Sequence, residues 1–174
     1  MRPAFCILLS TSLIIAACQG GGQDAGEGAD AADGSEDAAG SYAIDPESGE
    51  ITASHTDASG VTTTMRSGEE VEARLPKPFT VYPGARITNT TRVDQGAGTF
   101  VTVEFITPDP RDAVVEFYRS QAQEAGIPAD IEVSGGETTT LGGESLSRKS
   151  SFALQVTRVE DRTEGQISVS SGFE

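Results

Sequence analysis

The sequence predicts an α+β domain: a mostly antiparallel β-sheet with one amphipathic helix, about residues 110–125, packed on one face. Three observations carry this. Apolar residues alternate in short runs on both sides of residue 110. One segment, "TPDPRDAVVEFYRSQAQEAG", has helical periodicity with a start and a stop. The order is strands, one helix, strands, which suits helices set against one face of an antiparallel sheet.

The first element expected is a β-hairpin over about 50–66, in "GEITASHTDASGVTTTMRSG". Ile51, Ala53 and His55 alternate on one strand, Val61, Thr63 and Met65 on the other. "DASG" between them is turn chemistry, with Gly60 free to take a positive φ. In "RLPKPFTVYPGARI", Pro76, Pro78 and Pro83 forbid a helix or central strand. That segment should run extended, pinned by Phe79, Val81 and Tyr82, and turn at Pro83-Gly84. Ile87–Val93 and Thr99–Ile106 read as paired strands around "DQGAG". Val101, Val103 and Phe105 should share one face, with Phe100 and Ile106 on the other.

In the helix, Asp109 can cap, Pro110 fits the first helical position and Asp112 suits the first turn. Gly126 should end it, with Ile127 making the closing contact. At 100° per residue, Ala113, Phe117, Val114, Ala125, Tyr118, Ala122 and Val115 fall on one arc. Arg119, Asp112, Gln123, Glu116 and Ser120 fall opposite. Beyond it, Ile131–Ser134, Glu137–Leu141 and Ser145–Lys149 are candidate short strands. "SFALQVTRVED" and "GQISVSSGF" are clearer ones, joined by a turn at Asp161–Gly165. Gly-Gly-Glu occurs at 135–137 and again at 142–144, which reads as two turns flanking an edge strand. A phosphate cradle would need a following helix and usually a lysine, and the sequence has neither there.

The N-terminus is of another kind. Arg2 precedes "FCILLSTSLIIAA", an apolar run as long as a signal-peptide core and shorter than the ~20 residues of a spanning helix. "IIAAC", ending at Cys18, resembles the lipobox of bacterial lipoproteins. The resemblance implies a signal peptide at 1–17, cleavage before Cys18, and acylation of that cysteine as a membrane anchor. The other reading is an ordinary secretory leader with an incidental cysteine. Each buried acyl methylene contributes ~0.8 kcal/mol, so two or three chains hold firmly. Gln19, where the family commonly has Asp for inner-membrane retention, implies the periplasmic face of an outer membrane, if the organism has two membranes. Residues 19–40 carry Asp24, Glu27, Asp30, Asp33, Glu36 and Asp37 with no base and no large apolar side chain. Such a stretch cannot offset its ordering entropy and reads as a disordered tether. The expected organisation is therefore 1–17 leader, 18–40 lipidated Cys and tether, and 41–174 one small domain, with its main sheet and helix in about 78–174. "YPGA", then a strand, then a helix containing "EFY", resembles small domains of bacterial envelope lipoproteins across roughly 78–127. That resemblance implies a fold and carries no chemistry.

Composition narrows the function. The chain has 12 bases against 27 acids, so nucleic acid is not an expected partner. From Leu75 onward there are 9 bases and 14 acids, a net of about −5 out of the chain's −15, so most of the net negative charge precedes the main sheet. Cys6 would leave with the leader and Cys18 would carry lipid, leaving the domain no thiol. His55 is the only histidine and sits in the hairpin. Cys-His and Ser-His-Asp catalysis and thiolate or multi-histidine metal sites are thus not expected. No catalytic residue, metal ligand or cofactor is assigned, and the chain is not read as an enzyme.

Two functions remain. One is a lipid-anchored, non-catalytic binding or structural module with an envelope-protein or cell-wall partner. The alternative is a small-ligand carrier with a pocket between helix and sheet. For that pocket the candidate polar points are Tyr82, Tyr118 and Gln121, because Gln121 falls near the middle of the apolar arc and must find partners there. The simpler reading is that Gln121 bonds a backbone group. With 6% aromatic residues and no Trp, material for a large cavity is scarce, which favours the first function.

Overall fold

The computed structural model describes residues 40–173; the leader, Cys18 and all but the last residue of the tether lie outside the described residues. The elements are β1 (Gly40–Ile44), β2 (Ile51–Thr56), β3 (Thr62–Gly68), β4 (Arg86–Gln95), β5 (Gly98–Thr107), α1 (Arg111–Ala125), β6 (Ile131–Gly135), β7 (Thr138–Ser145), β8 (Ser150–Val159) and β9 (Arg162–Ser171). They form one nine-stranded antiparallel sheet, ordered β1-β2-β3-β4-β5-β9-β8-β7-β6, with the helix packed against it. Two meanders meet at the β5–β9 pair. The helix carries the chain from β5, in the middle, to β6, at the far edge.

Local chemistry makes the turns. Asp45 Oδ1 accepts the N–H groups of Glu47 and Ser48, closing β1 onto β2. Asp57 Oδ1 accepts those of Ser59 and Val61, and Gly60 takes φ 83°. The expected hairpin is present in β2–β3. The strand β1, five residues paired along β2 from Gly40↔His55 to Ile44↔Ile51, was not expected. "GSYAI" is too short to show a period; its pairing with β2 makes it a strand.

Helix and proline segment together cover one face of the sheet over β5, β7, β8 and β9. Val114, Val115, Tyr118, Ala122 and Ala125 are buried beneath the helix, and Leu75, Phe79 and Tyr82 come from the segment before β4. They meet Val101, Val103 and Phe105 of β5, Phe152, Leu154 and Val156 of β8, and Ile167 and Val169 of β9. The buried arc is rotated from the expected one: Ala113 is exposed and Phe117 half-buried. Phe117 instead packs edge-on against the rings of Tyr82 and Tyr118, with centroids 5.1 Å apart in each case.

Several expectations need correction. Asp109 does not cap the helix; Pro110 occupies the N-cap without a side-chain bond, and Asp109 Oδ2 accepts the Tyr82 hydroxyl at 2.8 Å. The C-terminus follows expectation, with Gly126 at φ 65° and the Ile127 N–H donating to Ala122 O at 2.9 Å. Residues 146–148 form a 3₁₀ turn where a strand was expected. The β8–β9 turn lies at Glu160–Asp161, with Glu160 at φ 52°. Gly165 is inside β9, where Phe105 lies opposite and any Cβ would overlap its ring. Gly142 and Gly143 lie inside β7, and a Cβ at Gly143 would collide with the carbonyl of Pro128. These glycines permit close approach rather than turning, and β6 rather than β7 is the edge strand.

Candidate functional site

The three residues named from sequence do come together, and each is engaged within the protein. Tyr118 is fully buried and its hydroxyl accepts the N–H of Tyr82 at 3.1 Å. Gln121 accepts the Thr80 N–H through Oε1 at 2.9 Å and donates from Nε2 to Thr80 Oγ1 at 2.8 Å. The Tyr82 hydroxyl reaches Asp109. Burial pushes the Tyr118 phenol well above its ordinary pKa, only partly offset by the bond from the Tyr82 backbone. Burial, then the Asp109 carboxylate, raise that of Tyr82. These bonds fasten residues 80–82 along the helix, because an extended proline-rich segment has no ladder in which to satisfy its own N–H groups. Tyr82 alone of the three borders a depression, of about 440 Å³, shared with Asp109 and Phe117.

Fastening that segment has a consequence at the other end of the helix. Pro76, Lys77, Pro78 and Phe79 stand opposite Glu124, Ala125 and Ile127, with Arg148, Ser150, Val169 and Ser170 closing the third side. The space enclosed is a cleft of about 540 Å³. It opens between the helix C-terminus and the sheet end where β8 begins and β9 finishes. Its floor is apolar, made by Phe79, Ala125, Ile127 and Val169, each less than a tenth exposed. Gly126 ends the helix directly beneath the Arg148 guanidinium, whose Nη2 lies 3.1 Å from where a Cβ would stand. A second depression, of about 490 Å³, continues past Gly126 and Ile127 along Arg119, Gln123, Pro128 and Ala129.

The charges at this cleft are unusual for the chain. Among the described residues most arginines have acidic partners: Arg66 with Glu50, Arg74 with Glu72, Arg92 with Asp94, Arg111 with Asp112, Arg119 with Glu132 and Glu116, and Arg162 with Glu164. Arg158 donates to the carbonyls of Pro108 and Asp109. Lys77 and Arg148 have neither kind of partner among the described residues, and both line the cleft. Glu124 is at the same rim, beyond ion-pair distance of both. Sequence reasoning passed over Lys77 and Arg148; the one local sign is a lysine held between two prolines.

The single histidine and the acidic side chains of the described residues are spread over the fold. No group of three or more His, Cys, Asp or Glu among them could hold a metal ion. His55 is exposed in β2, paired across the ladder with Gly40 and Thr63. No described helix is long and apolar enough to cross a membrane.

Fold and cleft thus define a class: a helix and an extended arm laid over one face of an antiparallel sheet, with an apolar opening at the helix end. A family model described as START domain-like matches residues 87–164, running from β4 through α1 into β9. No curated protein and no solved structure matches the chain significantly.

Proposed function

We propose that the chain is a lipid-anchored, non-catalytic protein of the cell envelope whose domain binds a small ligand in the cleft at the C-terminal end of α1. The START domain-like match carries this reading, because it spans the helix and the strands beneath it and points to ligand binding. The cleft supports it further: apolar walls with a few convergent polar groups are the usual make-up of a small-molecule site. The domain is expected at the periplasmic face of the outer membrane, held through lipid on Cys18. Mass spectrometry of the mature N-terminus should find an acylated Cys18; an unmodified start at another residue would refute the anchor. For the ligand, native mass spectrometry of gently purified protein should show an added mass released on denaturation. Ser150→Phe, filling the cleft from a partly exposed position, should lose that mass and melt within about 2 °C of the parent. An unchanged added mass in this variant would refute the cleft as its site.

One observation favours a second reading, a surface for an envelope-protein or cell-wall partner. On the sheet face opposite the helix, Tyr42, Ala53, Met65, Val93 and Phe100 are aligned in register across β1–β5. Tyr42 is 65% exposed and neighbouring Ile44 57%. Crosslinking in cells from position 42 should capture a discrete partner on this reading and none if the row is only surface.

A further inference from the structure

The ligand-binding reading leaves the ligand's chemistry open, and the charges at the cleft narrow it. In a chain with 27 acids and 12 bases, a cation without an acidic neighbour is the exception. Lys77, Arg86 and Arg148 are the described bases for which no hydrogen bond or ion pair of the side chain is found, and two of these three line one cleft. They reach it from unrelated parts of the fold. Lys77 sits on the proline arm, whose flanking Pro76 and Pro78 limit its backbone freedom. Arg148 ends the 3₁₀ turn before β8. The same cleft carries the apolar floor of Phe79, Ile127 and Val169.

The bland account of Arg148 is that it complements the negative end of the helix dipole, since the last turn of α1 has no base. That account gives no role to Lys77, and it leaves a guanidinium with free donors above an apolar cleft. A guanidinium is suited to bidentate recognition of carboxylate or phosphate, and an ammonium serves as a point charge beside it.

Resting on the ligand-binding reading, we propose that Lys77 and Arg148 form an anion subsite. The ligand is then an amphiphile with one carboxylate or phosphate head between these cations and an apolar body on Phe79, Ile127 and Val169. The interior beneath the helix is filled by Tyr118 and Phe105, so the apolar body lies in the rim cleft rather than under α1.

The test uses the full chain in discs of zwitterionic phospholipid, with the Ile127 and Val169 methyl groups followed by NMR. Octanoate and octan-1-ol are the probes, matched in chain length and different in charge. Octanoate should shift these methyl signals saturably and bind at least tenfold more tightly than octanol. The double variant Lys77→Glu, Arg148→Glu should abolish that preference, bringing octanoate to the affinity of octanol or below it. Equal binding of both probes, unaffected by the double variant, would overturn the anion subsite and leave the cleft as a ligand site. No shift with either probe would overturn the cleft reading itself. Replacing half the disc lipid with phosphatidylglycerol separates the two sources of such a head group. Displacement of octanoate assigns the subsite to bilayer lipid, and retention assigns it to a free ligand.

Discussion

Tyr118→Phe tests the junction on which the cleft depends. The phenol is wholly buried, and its oxygen is the acceptor given to the Tyr82 N–H, 3.1 Å away. Removing the oxygen leaves that N–H buried without a partner, which costs about 1–3 kcal/mol. A hydroxyl-sized void of roughly 10–15 Å³ adds about 0.3 kcal/mol at the usual cavity coefficient. The expected loss is about 1.5–3 kcal/mol, or roughly 6–12 °C in Tm at about 4 °C per kcal/mol for a domain of this size. Tyr82→Phe is the internal comparison. It removes a bond to Asp109 that is only partly buried, and should cost about 1 kcal/mol or less. Calorimetry at pH 7 measures both. A pH series adds an independent signature, because burial holds the Tyr118 phenol protonated above its ordinary pKa. A group raised in the fold contributes stability that is complete below its unfolded value, about 10, and is lost as pH rises beyond it. The parent should therefore lose stability steeply in alkali, and Tyr118→Phe less steeply. A Tyr118→Phe protein melting within 1 °C of the parent, with the same alkaline slope, would show that the proline arm is not fastened to the helix here.

Other variants probe the sheet. Gly165→Ala puts a methyl group into the space of the Phe105 ring and should destabilise by roughly 1–3 kcal/mol in urea unfolding. Thr90 Oγ1 is fully buried and has no hydrogen-bond partner among the described residues, so Thr90→Val should leave the midpoint unchanged or raise stability by about 1 kcal/mol. Acid should loosen β1–β3 before β8 and β9. Backbone N–H groups lower the Asp45 carboxyl, the Ser59 side chain and the Val61 N–H lower Asp57, and Arg66 lowers Glu50. Groups lowered in the fold contribute stability that is present above their unfolded values, about 4, and lost as pH falls through the folded ones. Amide exchange at pH 3 should thus rise in 40–68 relative to β8 and β9; uniform exchange across the sheet would contradict this.

How much of this could be read from the chain depends on the range of the interaction concerned. Elements made by neighbours in sequence were legible. Gly126 and Ile127 end the helix by bonds to residues one turn back, and "DASG" turns because Asp57 caps its own loop. Val101, Val103 and Phe105 alternate and are buried. At Gln121 both sequence-based expectations concerned one amide, and its bond to the Thr80 backbone is of the simpler kind.

Contacts between distant segments were not legible. Asp109 has a capping sequence, yet the Tyr82 hydroxyl takes its carboxylate once the proline arm is in place. Gly142, Gly143 and Gly165 look like turn residues until Pro128 and Phe105 are brought against them. Strand order, with β5 beside β9 and the helix crossing to the far edge, is not written in any local period. The sequence by itself determined an acidic, cysteine-poor domain of strands around one helix, since composition and periodicity act over a few residues. Only the tertiary structure put Lys77 and Arg148 on one apolar cleft, because burial and charge pairing are settled by what the whole fold brings near each side chain.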